Sequence, residues 1–481
     1  MLLAFIFVPF IGAAMMPIVR KIRPKFAIIL PVLALLFQIA TTIWAGFSNF
    51  LPKPGLRISH WLLNQKLFLS IDGLSLIVLI SIGLVALVAV LASTGFAIDD
   101  DRRPGFYALI LLAVTGMNGL VMATDLFSLY VFLEIASVCS FILIAYQYED
   151  QGIEASFKYM MLSAVATVFL LLGMSALFAV SGGVSFRVLA VGVRTGNLPI
   201  KIGMAFIFFA FALKAGMIPF HAWLPDAYTG APAPVSVLLG GIVTKVVGVY
   251  TMMRIALSVF GFNYTFSMLL LTIGAVSVTL GAFMAMGQND FKRMLAFSSI
   301  SQIGYIMMGI ASGNAIGIIG AVFHFFNHSI FKSLLFLNSS AVEQATGKRN
   351  LDALGGLSNK MPVTGTTSVI ALLSTAGIPP LAGFWSKLLI IIGLWTGENY
   401  FLAGVAIFTS VVTLAYLILL QRSVFFGKLR EGLETIKEVA PAIYIPEILM
   451  ASITIAVGVL FPIFYQKLLL PVNTLIATLI K

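Results

Sequence analysis

The sequence is poor in charge and nearly devoid of cysteine. Of its 481 residues, 10% are Asp, Glu, Lys or Arg, against about 25% in soluble domains. Its one cysteine, Cys139, stands in an apolar run, which excludes an intrachain disulfide and a cysteine-based metal cluster. There are four histidines and no HExxH pair, so the usual helical zinc-protease signature is missing. What is present instead is apolar: 60% hydrophobic residues and a mean hydropathy of +1.06. Long apolar runs recur too often for one soluble core and predict an all-α polytopic membrane protein. The net charge of +11 sits on basic residues scattered over short loops. That is the pattern of membrane flanks, and no nucleic-acid partner is expected. The first residues enter apolar sequence directly and reach Arg20 without a small-residue cleavage site, so a first helix is expected here, not a removed signal.

The apolar runs predict about fourteen spans, centred near residues 10, 36, 83, 114, 136, 167, 210, 246, 275, 302, 328, 379, 412 and 455. Between the second and third, LPKPGLRISHWLLNQKLFLSIDG alternates in short stretches and reads as a hairpin on one membrane face. Between the last two lies the one strongly charged stretch, GKLREGLETIKEVAPAIYIPE; its LREGLETIKEV part reads as an amphipathic surface helix. The tail QKLLLPVNTLIATLIK is apolar but short. Loops after odd-numbered spans carry sixteen basic residues and the opposite face nine, with Lys214, Lys245, Lys332 and Lys387 inside spans. The positive-inside rule then puts both termini outside the cytoplasm.

Two spans contain matching interruptions. Ala215-Gly216-Met217-Ile218-Pro219 in the seventh is echoed by Ala376-Gly377-Ile378-Pro379 in the twelfth, each followed by Phe and Trp. Broken helices at corresponding places in two halves point to a transporter's central site. Being five spans apart, the halves would be inverted; kinks that serve packing alone are the other reading.

The ionisable residues inside apolar runs are the candidate chemistry. A lysine at bilayer depth costs about 2.5–3.5 kcal/mol on insertion scales. Lys214 sits beside the first interruption and Lys245 in the next span. Glu134, apolar on both sides, needs a partner or a proton; Lys214 is the nearest by chemistry, and a neutral carboxyl bonded to a neighbouring helix is the alternative. Desolvation favours a neutral lysine and a nearby carboxylate favours a charged one. A lysine whose acidic partner approaches and withdraws can therefore capture and release a proton; a static ion pair is the competing role. In the eleventh span His324, His328 and Lys332 recur at four-residue spacing, on one helix face. No acidic residue accompanies them, so a proton relay through imidazole fits better than a metal or haem, with polar packing between helices as the alternative. Lys387 follows the second interruption. Asp125, Asp226 and Asp290 fall at span boundaries, and His221, like His60, near the membrane surface. These are loop anchors or channel mouths.

The motifs TDLFSLYVFLEI around Glu134, LKAGMIPFHAWLPDAYTGAPAPVS from Leu213, NHSIFKSLLFL around Lys332 and GIPPLAGFWSK ending at Lys387 resemble the antiporter-like subunit family. That family spans the large membrane subunits of complex I, the Mrp sodium/proton antiporter subunits, and their counterparts in membrane-bound hydrogenases and sulfur-reducing complexes. The resemblance runs from about residue 70 to 425. It implies fourteen helices with inverted five-helix repeats, here 105–257 and 264–425, flanked by 1–104 and 426–481, and broken seventh and twelfth helices. It implies a coupled pair at Glu134 and Lys214, a bridging lysine at Lys245, a relay at His324 or His328, and a terminal group at Lys387. The lysine there, where some members have glutamate, is most similar to the Mrp D-type and hydrogenase-type subunits. The chain stops soon after its last span, which argues against the largest complex I subunit. The expectation is an ion-translocating subunit carrying protons or sodium ions, without a redox cofactor of its own. It would work among other membrane subunits in the cell membrane of a prokaryote. Energy would come from a redox module or, for a D-type subunit of an Mrp antiporter, from a sodium gradient. A stand-alone solute transporter and a quinone or haem enzyme are the other classes.

Overall fold

The computed structural model describes residues 2–22, 26–47, 58–62, 65–261 and 264–473. The first six spans are Ala4–Ile22, Ile29–Phe47, Gly73–Ser93, Arg103–Met122, Leu126–Ile144 and Asp150–Ser181. The seventh is Leu198–Ala215 and the eighth Ala233–Phe260; Tyr264–Met286, Phe291–Ala311 and Ala315–Thr346 follow. Tyr400–Val424 and Pro441–Val459 are the last two. Among the described residues these are thirteen helices long and apolar enough to cross a membrane. The twelfth span, in two halves at Pro362–Ala376 and Ala382–Thr396, brings the set to the expected fourteen. The chain is a multi-pass membrane protein.

Short polar residues start many of these helices. The carboxylates of Asp72, Asp125 and Asp290 and the amides of Asn197 and Asn314 each accept a backbone N–H from the first turn of the helix they precede. Each satisfies a donor that the helix cannot. Burial is graded. The apolar stretches of the eighth, tenth and eleventh spans are wholly enclosed, whereas the first and sixth bury only 28% of theirs. Lys245 and Lys332 are carried by enclosed helices.

The two interruptions have the same backbone. Gly216 (φ +67°) and Gly377 (φ +87°) end their helices in the left-handed conformation, which glycine adopts without a Cβ penalty. In the first break Met217 N–H donates to Ala212 O at 3.0 Å; in the second Ile378 N–H donates to Leu373 O at 2.9 Å. Each break therefore closes with the same six-to-one cap. Other backbone groups of the breaks find side-chain partners, as membrane depth requires. Ile218 N–H donates to Ser277 Oγ (3.1 Å), and Leu213 O accepts from the Trp223 indole (2.9 Å). In the second break Gly383 N–H donates to Ser374 Oγ (3.2 Å), and Ala382 O accepts from Asn327 (2.9 Å).

Outside the membrane helices, strands β1 (Ile58–Leu62) and β2 (Gln65–Leu69) pair antiparallel, with Ile58 opposite Leu69. The charged stretch before the last span corrects the sequence reading: LREGLETIKEV forms turns and irregular chain, not a helix. Gly432 takes a positive φ of +80°, and Glu438 turns inward to accept the backbone N–H groups of Val363 (2.7 Å) and Thr364 (3.3 Å). Capping the twelfth span there satisfies donors that a free surface helix would leave open. Of the C-terminal tail, residues 474–481 lie outside the described residues.

Candidate functional site

The first group of the site lies where the fifth, sixth and seventh spans meet. Lys214, in the last turn before Gly216, is 2% exposed. Its Nζ stands 3.5 Å from Glu134 Oε1, donates to Ser137 Oγ at 3.1 Å, and also bonds Ser163 Oγ. Glu134 Oε1 accepts a second bond from Thr167 Oγ1 at 2.6 Å. The lysine thus faces one carboxylate and two hydroxyls, a set that holds the charged ammonium and shares it among three acceptors.

Lys245 has a different environment. It is buried in an eighth span that contains π-helical turns at Leu239–Val243 and Lys245–Tyr250, a geometry frequent at functional positions. Its ammonium bonds the Gly240 carbonyl of its own helix, and no acidic side chain pairs with it among the described residues. Glycines bring the neighbouring helices into contact at this level. A Cβ on Gly248 would collide with the backbone of Ala215, beside Lys214, and one on Gly241 would collide with Ser333 Oγ, beside Lys332. The eighth span therefore touches the seventh and eleventh where each carries its lysine.

On the eleventh span, Lys332 donates to Leu295 O (3.0 Å) and bonds Ser298 Oγ, both on the tenth. His328 and His324 stack nearly parallel, ring centroids 6.1 Å apart. Neither nitrogen of His328 has a hydrogen-bond partner among the described residues, whereas His324 joins Gln302 Oε1 (3.2 Å) and Ser386 Oγ (2.9 Å). Ser386 precedes Lys387. The Lys387 ammonium lies 4.6 Å from the centre of the Tyr305 ring and 3.5 Å from Ala376 O. Tyr305 is itself fixed by Ala406 O (2.7 Å), Thr409 Oγ1 (2.7 Å) and Ser410 Oγ (2.9 Å). A cavity of about 220 Å³ between the second break and the thirteenth span is lined by Gly377, Ile378, Phe384, Lys387 and Ser410.

The boundary residues separate into two kinds. Asp125 caps the fifth span. Asp290 caps the tenth and pairs with Arg349 at 3.3 Å. Asp226 pairs with Lys158 (3.0 Å) and Arg293 (2.8 Å) beside a cavity of about 220 Å³. Burial raises the Asp226 carboxyl, and its bonds to Arg293 and Lys158 outweigh that and hold it below the ordinary range. His221 packs near Phe297, centroids 6.3 Å apart.

The model of the family described as NADH:quinone oxidoreductase/Mrp antiporter, TM, matches residues 123–413, which contain every residue of this axis. The chain belongs to this family. The D-type Na(+)/H(+) antiporter subunit of Alkalihalophilus pseudofirmus is 31% identical over 423 residues, 86% of this chain and 84% of that protein. The N-type NADH-quinone oxidoreductase subunit of Desulforudis audaxviator is 36% identical over 368 residues, covering 75% and 73%. A chain of the membrane-bound sulfane sulfur reductase, an archaeal respiratory membrane complex, superposes with a TM-score of 0.87 at 28% identity, covering 99% of this chain and 98% of that one.

Sequence reasoning missed several residues of this antiporter-like fold. The hydroxyls of Ser137, Ser163, Thr167, Ser298 and Ser386 carry no signal of their own, since serine and threonine are ordinary in membrane helices. Arg254, counted with a loop, lies buried in the eighth span and binds Asp72 through two nitrogens at 2.5 and 2.9 Å. Glu447, the last residue of the charged stretch and not singled out there, is fully buried. A single acid at the start of an apolar run was the available sign.

Proposed function

We propose that the chain is an ion-translocating, antiporter-like subunit of a multisubunit membrane complex, passing protons along Glu134, Lys214, Lys245, the His324–His328–Lys332 face and Lys387. The observation that carries this reading is the Lys214–Glu134 pair, 3.5 Å apart beside the Gly216 break. Its ammonium has alternative hydroxyl acceptors in Ser137 and Ser163, so the carboxylate can withdraw without stranding the lysine. With the carboxylate near, the charged lysine is favoured; with it withdrawn, the lysine sheds a proton. The close contacts at Gly248 and Gly241 support Lys245 as the link between the flanking lysines. His324 and Ser386 then lead to Lys387 and its cavity. Residues 105–257 and 264–425 act as two inverted repeats, each built around one break. Asp226 and Asp290, with their basic partners, form the channel mouth on the face carrying the loops after odd-numbered spans. Both termini lie outside the cytoplasm and the membrane is the cell membrane.

The driving energy comes from partner subunits. A redox module, as in a respiratory complex like that of the sulfane sulfur reductase relative, is the first reading. The D-type subunit of a sodium/proton antiporter is the second, favoured by the 86% coverage of the Alkalihalophilus relative. Purifying the native complex distinguishes them by whether a redox subunit co-migrates. In inverted vesicles, Lys214→Ala should abolish proton movement with the complex assembled. Wild-type transport by that variant would overturn the proposal.

A further inference from the structure

A second polar cluster lies on the eleventh span beyond Lys332, toward the loop between the thirteenth and fourteenth spans. Its centre is Glu447, fully buried on the fourteenth. Glu447 Oε2 accepts from Thr364 Oγ1 at 3.0 Å, while Oε1 has no hydrogen-bond partner among the described residues. The same Thr364 hydroxyl lies 2.8 Å from Oε1 of Glu438, which is partly exposed in the loop. One hydroxyl proton cannot serve both carboxyls at once, so Thr364 links them as a switchable bridge. Asn338 and Thr367 also lie beside Glu447. Asn338 donates to Thr367 Oγ1 at 2.9 Å, and its own buried Oδ1 is unpartnered among the described residues. The hydroxyl of Ser339, next to Asn338 in the chain, is buried and unpartnered in the same sense. Orphaned polar atoms in an apolar interior are costly, and ordered water is the usual means of satisfying them. Asn338 stands six residues beyond Lys332, about 9 Å along the helix.

We propose that Glu438 and Glu447 form a proton inlet from the loop face into the second half of the chain, with Glu447 the proton-binding station that feeds Lys332. The step needs no redox partner. A proton taken up by the Glu438 carboxylate passes to the Thr364 oxygen as that hydroxyl gives its own proton to Glu447. Water beside Asn338 carries it on to Lys332. The charged group facing Glu447 is Glu438; Asn338, Thr364 and Thr367 line the rest of its surroundings. The inlet rests on the ion-translocation reading above, and a static role, Glu447 anchoring the loop through Thr364, is what it competes with.

The test uses the native complex. Dicyclohexylcarbodiimide, which attacks protonated carboxyls in apolar surroundings, should modify Glu447 and block transport, the adduct being mapped by peptide mass. Glu447→Gln should assemble, lose that adduct, and slow proton movement by about tenfold or more, whereas a static role predicts that the isosteric amide works. Wild-type transport by assembled Glu447→Gln, with Lys214→Ala and Lys332→Ala inactive, overturns the inlet alone. Normal transport by all three overturns the underlying reading too. If Glu447→Gln does not assemble, the wild-type complex decides: an adduct on Glu447 that blocks transport supports the inlet, and its absence overturns it.

Discussion

The two helix breaks share a backbone and differ in charge. Both end on a left-handed glycine and close with the same cap. At the first, Lys214 has the Glu134 carboxylate and two serine hydroxyls. At the second, Lys387 has an aromatic face, one distant carbonyl and a cavity. A carboxylate holds a lysine's proton; a ring face holds it more weakly, the cation–π contact being worth about 2 kcal/mol when desolvated. On the proposed translocation reading, the same scaffold makes one site that retains a proton until its partner moves and another that releases it. The fold positions the lysines, and the neighbours assign their roles.

The largest effect should come from Lys387. Lys387→Met, close in size and unable to titrate, should abolish proton movement in inverted vesicles. Lys387→Glu should retain part of it, because a buried carboxyl can still exchange a proton. Met outperforming Glu would make Lys387 a packing residue and leave the second break without a chemical role. Next is Glu134→Ala, which removes the acceptor that defines the first site. The complex should assemble and lose most of its transport; normal pumping would reduce the pair to a structural role.

A smaller effect is expected at Tyr305. Tyr305→Phe keeps the ring face toward Lys387 and should stay within a few-fold of wild type, while Tyr305→Leu removes the face and should slow transport by about tenfold. Equal rates for Phe and Leu would show that the ring does nothing for Lys387.

The smallest effect on transport is expected from an ion pair that lies outside the proposed proton path. Asp72 binds Arg254 and caps the third span. Burial alone raises the Asp72 carboxyl, but the Arg254 guanidinium and the Ser75 bonds outweigh it and hold it down to about 2. The stabilisation is complete above the unfolded carboxyl value near 3.9 and is lost as the pH falls through about 2. Asp72→Asn should lower stability in detergent by about 2 kcal/mol and leave transport nearly unchanged. A large transport defect with normal stability would show that a fixed ion pair can also belong to the pathway.

The membrane class, the fourteen spans, the two breaks and the buried lysines were all legible in the order of residues. They follow from local facts: apolar length, the backbone needs of Gly and Pro, and the cost of charge at bilayer depth. The failures had equally physical causes. LREGLETIKEV carries a helical pattern, but Gly432 and the capping demand of the twelfth span took Glu438 for another purpose. Arg254 looked like a boundary charge and Glu447 drew no reading at all, because distance from a loop along the chain does not report depth in the bundle. Which lysine has a carboxylate, which has a ring, and which hydroxyls join them became visible in three dimensions alone. Those partners come from helices far apart in sequence, and packing, not periodicity, brings them together.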